Sequence, residues 1–77
     1  MRNMIDDNEL EQVSGGRYWI STQKKRVCWD NVPGVYNLKN CTVYQAQQAM
    51  DELVGKYHTQ AEYDQACYNL LSSKGWI

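Results

Sequence analysis

Phenylalanine is absent from this chain of 77 residues, and proline and histidine occur once each. No apolar stretch approaches the ~18 residues of a membrane span, and the N-terminal residues lack the apolar core of a Sec-type signal. Glycine forms no P-loop, dinucleotide-binding or nucleophile-elbow pattern. Cysteine forms no C-x-x-C unit, so Cys28, Cys41, Cys67 and His58 lack the close ligand pairs of a zinc site. A solvated turn is the ordinary setting for a residue placed like His58, so no Cys–His nucleophile pair is read here. These absences argue against an enzyme, a metal and a cofactor. A formal net charge of −1 leaves too little positive charge to neutralise many phosphates, so nucleic acid is not an expected partner.

The small net charge hides an asymmetry. Residues 1–16 carry Asp6, Asp7, Glu9 and Glu11 against Arg2, whereas residues 17–77 carry seven Lys/Arg against five Asp/Glu. An acidic arm is joined to a mildly basic body, and such a split separates parts with different partners or fates. The arm has few core-forming side chains. Wound as a helix, it gathers Ile5, Leu10 and Val13 on one side with Asp6 and Glu9 among them. Carboxylates there are costly to bury against the chain's own domain, but suit a groove in another protein that offers a cation. Alone in water so short a helix is mostly unfolded, which predicts a disordered arm.

The arm ends in ELEQVSGG, Glu9–Gly16. Glycines at the last two places, Val13 fourth from the end, Leu10 seventh, Glu9 eighth and Ile5 twelfth resemble the double-glycine leaders of bacteriocin and peptide-pheromone precursors, E-L-x-x-[VI]-x-G-G. The resemblance implies that a peptidase-containing ABC transporter reads Ile5, Glu9, Leu10 and Val13 on an amphipathic helix. It further implies a cut between Gly16 and Arg17 and export of the remainder. Glycines suit the cut because a backbone without side chains enters a narrow cleft. The plain alternative is a flexible Ser-Gly-Gly hinge after an acidic tail.

The body reads as strands, then helices. RYWIST (17–22) and RVCWDNV (26–32) are β-rich about a polar QKK turn (23–25). Pro33-Gly34 reads as a turn before VYNL (35–38), a third-strand candidate. Thr42/Gln45 and Thr59/Glu62 are capping-box pairs that open two helices. Val43, Ala46, Met50, Leu53, Val54 and Tyr57 make the first apolar stripe; Tyr63, Ala66, Cys67, Leu70 and Leu71 make the second, with Gly75 at the C-terminal cap. The helix starts repeat at an interval of seventeen, through duplication or through convergence on one hairpin pattern. The predicted architecture is α+β: a two- or three-stranded antiparallel sheet followed by an antiparallel helical hairpin over residues 17–77, behind a disordered arm at 1–16. The sheet should lie on the shared apolar face of the helices.

Cys28 and Cys41 bracket a segment that a disulfide would stabilise by about 3 kcal/mol, a bridge that an oxidising exterior would preserve. Three reduced thiols are the alternative, with Cys67 a small buried apolar residue on its helix stripe. Lys24, Lys25 and Arg26 form a basic cluster that reads either as an exposed turn or as a contact for anionic lipid or cell-wall polymer. Six tyrosines and three tryptophans all follow Gly16. Trp29 is expected in the core, while Tyr18, Trp19, Tyr44, Tyr68 and Trp76 are candidates for a contact surface.

The leading expectation is a precursor made in the bacterial cytoplasm, whose mature part, residues 17–77, is secreted as a bacteriocin-like antimicrobial or signalling peptide. A transporter would be its first partner and a target-cell membrane or receptor its second. The body lacks Y-G-N-G-V and G-x-x-x-G, which separates it from pediocin-like and pore-forming two-peptide types. The alternative is a cytoplasmic interaction module with an acidic tail. An immunity protein is a third reading, disfavoured because such proteins stay inside the producer.

Overall fold

The computed structural model describes Glu11, Gln12 and residues 18–77. Its strands are β1 (Glu11–Gln12), β2 (Trp19–Ser21), β3 (Arg26–Trp29) and β4 (Val32–Asn37), followed by helices α1 (Val43–Asp51) and α2 (Gln60–Ser73). The sheet is an antiparallel meander in the order β1-β2-β3-β4. The predicted sheet and helical hairpin are both present. Apart from Glu11–Gln12, which pair with β2 as a short edge strand, the expected disorder of the arm falls outside the described residues.

The strands differ from the sequence reading in where they turn. β3 stops at Trp29 and the chain reverses at Asp30–Asn31, so Val32 begins the next strand and pairs with Trp29. Pro33-Gly34 is therefore no turn between strands. It is an irregularity inside β4, where the register shifts between Val27 and Trp29. Gly34 has φ of +98°, and a Cβ there would stand 3.3 Å from the Tyr36 hydroxyl oxygen. That hydroxyl donates to the Pro33 carbonyl at 2.6 Å, folding the ring back over the irregularity.

Both capping boxes form. The Thr42 hydroxyl accepts from the Gln45 N–H at 3.0 Å while Gln45 Oε1 accepts from the Thr42 N–H at 2.8 Å. Thr59 and Glu62 repeat the exchange at 3.1 and 3.3 Å. α1 ends before the predicted stripe does, so Val54 and Tyr57 lie beyond it and are exposed rather than packed. At the end of α2, the Trp76 N–H reaches the Leu71 carbonyl and the Gly75 N–H that of Ser72, both at 3.0 Å, with Gly75 at φ +78°. This is the Schellman arrangement expected of a glycine there. The chain end is then held against the β4–α1 connection, where the Lys39 N–H donates to the Trp76 carbonyl at 2.7 Å.

The core lies between one face of the sheet and the helices. Ile20, Val27, Trp29 and Val32 come from the strands, Ala46, Ala49 and Met50 from α1, and Tyr63, Cys67 and Leu71 from α2. The helices meet antiparallel: the start of α2 touches the end of α1, where the Tyr63 hydroxyl donates to the Met50 carbonyl at 2.9 Å inside the protein. Trp29 contacts the Tyr36 and Tyr68 rings at centroid distances of 6.0 and 6.3 Å, with Tyr36 and Tyr68 themselves 5.2 Å apart. Aromatic groups at these separations attract beyond simple burial.

Among the described residues, one ionisable acidic side chain is buried with the core. Asp64 on α2 is fully buried, and its Oδ2 accepts from the Asn31 backbone N–H at 3.2 Å and from Asn31 Nδ2 at 2.9 Å. Its Oδ1 accepts from Gln60 Nε2 at 2.7 Å. The carboxyl thus ties the β3–β4 turn to the helix. Burial raises its pKa above the ordinary 3.8, outweighing the hydrogen bonds from Asn31 and Gln60 that favour the charged form. Stability from this group is therefore fully present below 3.8 and is lost as pH rises through the raised folded value. Asp64→Ala should cost about 3 kcal/mol, because the donors of Asn31 and Gln60 lose their acceptor. Wild type should lose stability relative to Asp64→Asn as pH rises from 3.5 toward 7. Urea midpoints across that range check both expectations.

Candidate functional site

The leader residues Ile5, Glu9, Leu10 and Val13, and the cleavage positions Gly15, Gly16 and Arg17, lie outside the described residues. What the structure does place is the chain on either side of the glycines. Upstream, Glu11 pairs with Ile20 and Gln12 with Trp19 in the sheet. Downstream, Tyr18 is already in the core at 1% exposure. Tyr18 is thus a correction to the expected contact surface: just ahead of β2, it packs in the core with Ile20.

The other surface candidates separate by role. Trp19 is half-buried and donates from Nε1 to Asp30 Oδ1 at 3.0 Å, spending its polar edge on the neighbouring turn. Arg26 is half-buried, with Nε donating to Asn37 Oδ1 at 3.2 Å across β3 and β4. Lys24 and Lys25 are exposed on the β2–β3 turn, and Lys25 adopts a left-handed φ of 55°. Its carbonyl accepts from the Leu38 N–H at 2.7 Å. Trp76 is half-buried with the Lys74 ammonium 5.1 Å from its ring centroid. Tyr68 is half-buried against Trp29 and Tyr36, whereas Tyr44 projects from α1 at 84% exposure.

A surface that the sequence reading missed lies on the helical hairpin. An open groove of about 810 Å³ runs from the end of α1 along α2, with Leu53, Tyr57, Ala66 and Leu70 as its apolar lining and Lys56, His58 and Glu62 among its polar residues. The available signal was the failure of α1 to continue through Gly55, at φ +85°, which strands Tyr57 outside the packed stripe. Glu62 is engaged in capping, since its carboxylate also accepts from the His58 N–H at 3.1 Å. Among the described residues no three His, Cys, Asp or Glu side chains gather into a metal-holding group, and no helix is long and apolar enough to cross a membrane.

Cys28, Cys41 and Cys67 are all buried thiols, so the candidate bridge between Cys28 and Cys41 is not formed. The sheet explains this. Val27 and Trp29 point into the core together with Cys41, and alternation turns Cys28, between them on β3, to the opposite face. Burial raises the Cys41 thiol's pKa and pushes that of Cys67 up to about 12. Thiolate, not thiol, is the reactive form. Native protein at pH 8 should therefore give essentially no reaction with a thiol reagent over minutes, and three thiols per chain after unfolding in guanidinium. Two missing thiols in the unfolded count would contradict the assignment.

Compared with known proteins, the chain matches no family model, no curated protein and no solved structure.

Proposed function

We propose that residues 1–16 are a double-glycine leader and that residues 17–77 are the product it delivers, a secreted bacteriocin-like antimicrobial or signalling peptide. A peptidase-containing ABC transporter reads Ile5, Glu9, Leu10 and Val13 and cuts after Gly16. The observation that carries this reading is the position of Tyr18. It is fully buried two residues beyond Gly16, so a cut there removes none of the sheet and helix residues that build the described core. A break a few residues later would remove Tyr18 or Ile20 from that core. The Glu9–Gly16 pattern and the acidic-to-basic charge change at the same point support it independently. On arrival, this chain has no catalytic role in the proposal. It offers exposed Tyr44, the basic β2–β3 turn and the Leu53–Tyr57–Leu70 groove as contact surfaces for a target membrane or receptor.

A second reading, an intracellular interaction module, draws on the three buried thiols, a state natural to a reducing compartment. Its binding surface would be the hairpin groove. The readings separate by mass spectrometry of culture medium and cell lysate from the native host. The export reading expects a secreted species beginning at Arg17, without the two-hydrogen loss of a disulfide. Full-length chain confined to the cells during expression would overturn it.

A further inference from the structure

The two open positions inside the Glu9–Gly16 motif are strand in the structure. In E-L-x-x-V-x-G-G the positions between Leu10 and Val13 are left open, and these are Glu11 and Gln12. The structure uses those two residues as strand β1, paired antiparallel with Trp19 and Ile20 of β2. Glu9, Leu10 and Val13 share one face only if Glu11 and Gln12 between them are helical. Helical and extended backbone occupy separate regions of φ/ψ space, so one chain cannot be both at the same residues. Pairing with β2 and presenting the leader as a recognition helix are mutually exclusive.

Resting on the leader reading above, we infer that Glu11–Gln12 form a two-state element that regulates processing. As strand β1 they cover the open edge of β2 in the precursor. As part of a helix they deliver Leu10 and Val13 to the transporter. Each state serves a physical need. An uncovered edge strand presents unpaired N–H and C=O groups to other chains, a hazard for a precursor accumulating before export. A pairing of only two residues is too short to hold the arm permanently, so it lowers the population of cleavable chain without abolishing it. Because strand pairing uses the positions that the motif leaves open, the two states can be adjusted separately by substitution.

The test compares cleavage of the full chain with that of a synthetic peptide of residues 1–18, which keeps the leader and cut site but lacks β2. The probe is the peptidase domain of a double-glycine-cleaving transporter from the native host, at substrate concentrations below KM. The full chain should be cut about three- to tenfold more slowly than the peptide, by the fraction of chain held as strand. In Glu11→Ala/Gln12→Ala, where alanine favours helix over strand, the gap should close while the peptide rate changes little. Equal rates for the wild-type substrates, or a gap that the alanine pair leaves intact, would overturn the switch and spare the leader. Cleavage of neither substrate after Gly16 would reject the leader reading and the switch with it.

Discussion

The fold turns on a buried carboxylate. Asp64 draws the Asn31 backbone N–H and side-chain amide onto α2, and Gln60 closes the other oxygen from one turn earlier. Sequence-distant parts of the chain meet there, and the contact joins the β3–β4 turn to the helix. With the turn anchored, Trp29 is carried onto Tyr68 of the same helix, and Tyr36 completes the aromatic group. A buried charge is weak evidence for stability by itself, because desolvation offsets much of what its hydrogen bonds contribute. Its effect here is to fix one arrangement. A greasy contact would tolerate sliding of the hairpin along the helix, whereas three converging donors do not.

The described core is built by side chains from Tyr18 onward, and the proposed junction at Gly15-Gly16 falls just before it. The last turn of α2 is closed by the Gly75 cap and tied back to Lys39, and the helix pair is pinned by Tyr63 on the Met50 carbonyl. The described side chains that build the core begin at Tyr18. Among the described residues, the arm adds the edge pairing of Glu11 and Gln12 with β2. Under the proposed leader reading, the product's fold has to survive removal of the arm.

Much of the fold was legible because local rules acted without competition. The two Thr-x-x-Gln/Glu boxes, the Gly75 cap and the β-rich stretches before Pro33 each produced the expected element. The readings that failed needed tertiary information. Pro33-Gly34 carries turn chemistry, yet Asn31 bound to Asp64 moves the reversal upstream and leaves the pair as an irregularity inside β4. Asp64 carried no signal in the sequence, since its partner Asn31 lies far away along the chain. Tyr18 was assigned to the surface from residue type alone, whereas it is buried in the core just ahead of β2. The Cys28–Cys41 pairing looked reasonable from loop length, yet both thiols are buried without a bridge.

The central claim is that the body folds without its arm. The most direct test is to cut purified full-length chain after Gly16 and record amide NMR spectra before and after. The account predicts that resonances from Arg26 to Ile77 keep their dispersion and positions, with changes confined to β2, which loses its β1 neighbour. Collapse of the dispersed core resonances on removal of residues 1–16 would show that the arm is part of the fold, and would contradict its assignment as a leader.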